Sequence, residues 1–163
     1  MARRSEEDEA NADARIPRDL WTPYRVRRCL VFSLRALQAM GGGGGGRSAW
    51  MAYLHDYVEA EDPKPLPERD QVRPARIQLS ALETTRVEAA VLWQSLYLEP
   101  GGGDALALKA WLLSKVCRID LGEILSGQPI AMSVPTCYRR RDRALGIIGQ
   151  GLARDGVEPW FVY

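Results

Sequence analysis

The sequence predicts an all-α protein of five to six helices with a helix-turn-helix at its C-terminal end. Apolar residues recur three and four positions apart over several long segments, which is the spacing of an amphipathic helix. Capping residues such as Ser, Thr or Asp precede these segments, and glycine or proline follows several of them as a stop. At 163 residues the chain suits one domain, to which we add a flexible N-terminal arm and a hexaglycine linker.

Composition and charge limit the functions that the chain can have. The formal net charge is only +1, so a nucleic-acid-binding face must come from local charge. Residues 133–154 hold five arginines and one acid, whereas residues 51–70 hold six acids and two bases. The three cysteines are far apart and His55 is the only histidine, which argues against a disulfide framework or a metal site and fits a reducing cytoplasm. No apolar run is long enough to predict a membrane span.

Residues 1–19 are polar and lack helical spacing, which predicts a disordered arm ahead of a single helical domain over residues 20–157. The first helix should run from Pro23 to Met40, with Thr22 as its N-cap. Three arginines share the polar side of this helix: Arg25, Arg28 and Arg35. They form either a solvated face or a set of secondary phosphate or partner contacts.

The middle of the chain predicts a linker and two more helices. Residues 41–46 are a glycine run without the lysine and hydroxyl residue of a phosphate-binding loop at the right spacing, so we interpret them as a flexible linker. Residues 49–58 form an aromatic-rich helix. Ser80 and Glu83 then form a capping box, which opens a strong helix that ends before Pro100.

The segment 104–153 has the outline of a helix-turn-helix. An apolar helix is followed by a short helix that Asp120 caps, and Ser133 caps a recognition helix over residues 134–153. In this motif the last helix lies in a DNA major groove. The turn over residues 126–132 is longer than the three or four residues of a compact motif, which indicates either a widened loop or a different packing of the helices.

The recognition helix has an apolar side and a basic side. Apolar spacing predicts an inward stripe, interrupted only by Arg141, that consists of Val134, Tyr138, Leu145, Ile148 and Leu152. The outward side carries the residues that we expect to contact DNA, namely Thr136, Cys137, Arg139, Arg140 and Arg143. Arginine can bind guanine bidentately or clamp phosphates. The alternative is a surface arginine cluster on a helix that only packs.

Two features of the C-terminal third each leave two interpretations open. Cys137 stands at a helix N-terminus beside arginines, so it is either a small residue facing the groove or a thiol with a lowered pKa. The tail over residues 158–163 is apolar. It docks on the domain's own core, or else Trp160 and Phe161 bind another subunit or an RNA polymerase surface.

Catalytic chemistry is not indicated. The chain has one histidine, no pair of carboxylates on a common helical face and no nucleophile motif. We therefore predict no catalytic residue, no cofactor and no metal, and a protein that is not an enzyme.

A set of motifs carries a resemblance to a known family. The motifs are Leu20-Trp21-Thr22-Pro23, Trp50, Arg86-Val87 through Trp93 and Leu96, Leu98-Glu99-Pro100, and Ser133-x-x-Thr136-x-x-Arg139-Arg140. In these residues the chain resembles small uncharacterised helical proteins of bacterial phages, prophages and phage-like elements that share a sigma-like helix-turn-helix at the C-terminal end. The resemblance covers roughly residues 20–152 and implies a DNA-binding, phage-associated protein without an agreed activity. The hexaglycine run and the long turn before Ser133 depart from the family pattern.

The function predicted from the sequence is sequence-directed binding of double-stranded DNA, in transcription control of a phage-like element. One alternative is a small terminase-like DNA-packaging subunit, which would have to be a homo-oligomer. Another is an adaptor that binds RNA polymerase or a second phage-type protein through the apolar tail and binds no DNA. Neither the main prediction nor the alternatives involve a membrane.

Overall fold

The computed structural model describes residues 5–40, 78–127 and 131–160, and these residues form six α-helices and no strand. The helices are, in chain order, α1 (Glu6–Asp13), α2 (Pro23–Met40), α3 (Ala81–Tyr97), α4 (Gly103–Cys117), α5 (Leu121–Ser126) and α6 (Val134–Arg154). The all-α prediction is confirmed for this part of the chain. The hexaglycine linker, the helix predicted over residues 49–58, and His55 lie outside the described residues.

Four helices, α2, α3, α4 and α6, enclose the core. The most extensive packing is between α4 and α6, and α2 packs on the other three. Fully buried apolar side chains fill the space between them, among them Leu30, Leu108, Leu112 and Ile148. α4 is buried around most of its circumference, as its apolar sequence predicted. In the described ranges, no helix combines the length and the apolar character needed to cross a bilayer.

Local sequence signals set the helix starts. Ser80 and Glu83 form the predicted capping box at the beginning of α3, and the same hydrogen bonds hold the pKa of the Glu83 carboxyl below its ordinary value. At the beginning of α6, the Ser133 hydroxyl accepts a hydrogen bond from the Thr136 N–H at 3.3 Å. These contacts involve residues three positions apart, so they can be identified without knowledge of the tertiary structure.

The N-terminal arm contains a helix, which corrects the prediction of a disordered arm over residues 1–19. α1 buries no residue and has no apolar stripe, which is why its spacing gave no signal. A capping box formed by Ser5 and Asp8 begins the helix. Two ion pairs then attach it to α2: Glu9 with Arg27 (2.6 Å) and Asp13 with Arg25 (2.8 Å).

The C-terminal tail docks on the domain's own core at Trp160, which is the first of the two interpretations drawn from the sequence. Trp160 is 8% exposed, and its ring packs against Trp93 and Phe32 with centroids 6.1 and 6.4 Å apart. The Cys29 thiol donates to the Trp160 carbonyl at 3.3 Å. Phe161 lies outside the described residues.

Candidate nucleic-acid interface

The buried side of α6 differs from the predicted stripe in the first turns of the helix. Cys137, Arg141, Ala144 and Ile148 are buried, and they follow each other at helical spacing. Val134, which the apolar pattern placed inward, is 36% exposed. Leu145, Ile148 and Leu152 are buried, as predicted. The difference is confined to the first turns, where Cys137 faces the core and Val134 does not.

Cys137 contacts the core and not the DNA groove, so its prediction as a DNA contact is wrong. Its side chain is fully buried, and its thiol donates to the Ala107 carbonyl of α4 at 3.4 Å. Burial raises the pKa of the Cys137 thiol, which also contradicts the alternative of a lowered pKa. A short side chain at this position allows α6 to approach the backbone of α4.

Arg141 fills a site between two aromatic rings. Its guanidinium carbon lies 4.7 Å from the Trp111 ring centroid and 4.9 Å from the Tyr138 ring centroid, and 7% of the residue is exposed. The guanidinium also donates two hydrogen bonds to Asp142 Oδ1, at 2.8 and 2.5 Å. Cation–π contacts and an ion pair thus explain how an arginine occupies the buried side of α6.

The other arginines of the first half of α6 lie on its outward side. Arg139 is exposed, and its Nη2 donates to the half-buried Thr136 Oγ1 at 3.3 Å. Arg140 is half-buried, and its guanidinium lies directly against Gly103 at the start of α4, where a Cβ atom would overlap it. Thr136, Arg139 and Arg140 therefore share a surface that extends from the N-terminus of α6 to the N-terminus of α4.

Arg143 belongs to the same surface but already has a partner. Asp104, in the first turn of α4, binds it bidentately, with Nε–Oδ2 at 2.7 Å and Nη2–Oδ1 at 2.6 Å. The carboxylate raises the pKa of Arg143. Exposed ion pairs of this kind contribute little to stability, so a phosphate oxygen could replace the carboxylate at small cost.

The short helix α5 forms between α4 and α6 at the residues that the sequence predicted. Asp120 caps it, as predicted, through a 3.2 Å hydrogen bond from the Glu123 N–H. Leu121, Ile124 and Leu125 are buried, and α5 contacts both α4 and α6. Residues 128–130 of the turn lie outside the described residues, so the motif as a whole stays a prediction.

Arg25 of α2 is buried, which corrects its prediction as a phosphate contact. Only 5% of it is exposed, and its guanidinium donates to the Asp13 carboxylate at 2.8 Å. The remaining donors bind backbone carbonyls of the connection between α1 and α2, namely those of Asp13, Ile16, Pro17 and Leu20. One sequence signal could have shown this, because Arg25 lies four residues before Cys29 and therefore on the buried side of α2.

Arg28 and Arg35 are exposed, and both line a surface groove of about 370 Å³ that we call the α2–α4 groove. Arg27 and Lys115 are its other cationic residues. Among the described residues that line it, Glu6 of α1 supplies the one carboxylate. The groove therefore carries an excess of positive charge that the sequence analysis recognised only in part, since Lys115 is distant in the chain.

The fold and these surfaces define an α-helical protein with two basic regions, one on α6 and one between α2 and α4. In the described ranges, no group of three or more His, Cys, Asp and Glu side chains could hold a metal ion. No protein-family model, no curated protein and no solved structure matches the chain. The resemblance to phage-encoded proteins therefore stays a prediction that rests on the motif residues alone.

Proposed function

We propose that the protein binds double-stranded DNA through the outward side of α6, as a transcription regulator of a phage-like element. The observation that carries the proposal is the position of Arg139, which is exposed on the N-terminal half of α6 with Arg140 and Arg143 beside it. In helix-turn-helix proteins this half of the last helix meets the base edges.

The side chains around these arginines support the same role. Arg139 can reach guanine O6 and N7, and Thr136 beside it is short enough for a phosphate or a thymine methyl group. Arg143 would exchange the Asp104 carboxylate for a phosphate oxygen. Arg141 would hold α6 at a fixed rotation on the domain without touching DNA, because it is stacked on Trp111.

The test is duplex binding followed by fluorescence anisotropy at several salt concentrations. Replacement of Arg139 or Arg140 by alanine should weaken binding by about 1–3 kcal/mol if the side chain contacts a base. If it contacts a phosphate, the slope of log affinity against log salt should instead fall by about one.

Arg154→Ala is the matched control. Arg154 is an exposed arginine at the other end of α6 and is paired with an aspartate, Asp155, as Arg143 is. Binding should be unchanged in this variant. Duplex binding that survives the loss of Arg139, Arg140 and Arg143 together would contradict the proposal.

A further inference from the structure

The α2–α4 groove combines positive charge with aromatic surface. Its four cationic side chains come from two helices, with Arg27, Arg28 and Arg35 on α2 and Lys115 on α4. Arg35 and Lys115 are exposed, and neither has an ion-pair partner among the described residues. Cations from two elements that converge on one concave surface favour a polyanionic ligand.

Trp111, a wall residue of the groove, has a hydrogen-bond donor that is not used. The residue is 3% exposed, and its Nε1–H finds no acceptor among the residues that the structure describes. A buried donor without an acceptor is costly, and such donors in native proteins call for a specific explanation. The ring borders the groove, so its surroundings should change when a ligand binds there.

The first helix covers part of the groove with acidic residues. Glu6 lines it, and Glu9 holds Arg27 at 2.6 Å. Because α1 buries no residue, the Glu9 carboxylate is held by a polar contact that a stronger anion can replace, and Glu6 borders the groove from the same helix. The carboxylates thus occupy positions that phosphate oxygens could take.

Contacts of Trp111 link the groove to α6. Lys115 lies 5.7 Å from the Trp111 ring centroid, and a second cation, Arg141 of α6, lies 4.7 Å from the same centroid. Arg141 in turn stacks on Tyr138, the residue that precedes Arg139. These cation–aromatic contacts therefore place the groove beside the first half of α6, the half that carries the outward arginines.

We propose that the α2–α4 groove binds the phosphate backbone of the same duplex that α6 reads, in competition with Glu6 and Glu9. The inference rests on the proposed function, which it extends by assigning a second contact surface. In helix-turn-helix complexes, helices beside the recognition helix cross the DNA backbone, and phosphate contacts of this kind fix register without reading sequence.

The experiment compares two charge changes of opposite sign in the full chain, with the same anisotropy assay. Arg35→Ala should weaken binding about fivefold on every duplex sequence, and should lower the salt slope by about one. Glu6→Gln should strengthen binding about twofold to threefold, because a competing carboxylate is removed. Glu7→Gln is the matched control, since Glu7 is exposed on α1 and does not line the groove, and its effect should be smaller.

A second measurement needs no variant. The assigned indole N–H signal of Trp111 should shift in the NMR spectrum when duplex is added, because the ring borders the bound backbone. If Arg35→Ala binds like the unaltered protein while Arg139→Ala binds weakly, the groove inference is wrong and the proposed function stands. If the unaltered protein binds no duplex, the proposed function is wrong, and the groove inference falls with it.

Discussion

The two ends of the described chain both pack against α2. Polar contacts hold the N-terminal end there, and apolar contacts hold the C-terminal end. The N-terminal end is attached through Arg25, whose guanidinium binds the Asp13 carboxylate and four backbone carbonyls. The C-terminal end is attached through Trp160, which packs on Trp93 and Phe32. Only the second attachment buries apolar surface, because α1 buries no residue at all.

Because the two attachments differ in chemistry, they should respond differently to salt and to competing anions. Competing anions and high salt should weaken the Glu9–Arg27 pair first, because the more deeply buried Arg25–Asp13 pair is screened much less. The apolar attachment of the tail depends on area removed from water, so the screening of charges should not weaken it. One hydrogen bond supplements it, from Trp21 Nε1 to the Val157 carbonyl at 2.7 Å.

Loss of the tail anchor should have the largest effect. Trp160→Ala should lower the free energy of unfolding by about 4 kcal/mol, because it removes a buried indole and leaves a cavity beside Trp93. Urea unfolding followed by circular dichroism measures the change. Trp160→Phe keeps part of the aromatic contact and should cost clearly less. Equal losses in the two variants would show that the ring packing does not hold the tail.

Loss of the polar contacts of Arg25 should cause the second-largest loss of unfolding free energy. Arg25→Ala should lower the free energy of unfolding by about 3 kcal/mol, because it leaves Asp13 as a partly buried carboxylate without its partner. Hydrogen exchange should then become fast in α1 and stay slow near the tail. Arg35→Ala, an exposed arginine on the same helix, should leave stability within about 0.5 kcal/mol. If hydrogen exchange in Arg25→Ala became fast near the tail as well as in α1, the two attachments would not be independent.

The smallest effect tests the packing between α6 and α3, just before the tail. A Cβ atom at Gly151 would lie 2.3 Å from the Tyr97 ring, so Gly151→Ala should lower the free energy of unfolding by about 2 kcal/mol. The same change at Gly146 meets no atom within 4 Å, and it should stabilise the helix by roughly 0.5 kcal/mol. Thermal unfolding of the two variants should therefore shift in opposite directions, and shifts in the same direction would rule out the clash with Tyr97.

Much of the fold could be predicted because its signals are local. The capping residues Thr22, Ser80, Asp120 and Ser133 placed four helices within a residue or two of their observed bounds. α1 was missed because a helix without an apolar stripe shows no periodicity, and its attachment depends on an arginine twelve residues after Asp13. The match between predicted and observed helix number is partly fortuitous, since α1 was not predicted and the helix over residues 49–58 lies outside the described residues.

The candidate site was predicted less completely. The outward arginines follow from helical spacing alone, and the exposure of Arg139 and Arg143 agrees with it. The inward position of Cys137 does not follow, because the rotation of α6 depends on the fit of Arg141 between Trp111 and Tyr138. Contacts between helices set that rotation, so the spacing that put the position of Arg141 within the inward stripe did not show that Cys137 is buried as well.

The burial of the thiols has a practical consequence. Cys29 lies beneath the tail and Cys137 lies between α4 and α6. Burial raises the pKa of Cys29 to about 12, so almost no thiolate exists in the folded state at neutral pH. A thiol-reactive dye should then label Cys29 and Cys137 only when the interface of each opens, whereas Cys117 is partly exposed. The labelling rate of Cys29 would report how often the tail detaches, and the labelling rate of Cys137 would report how often α4 and α6 separate.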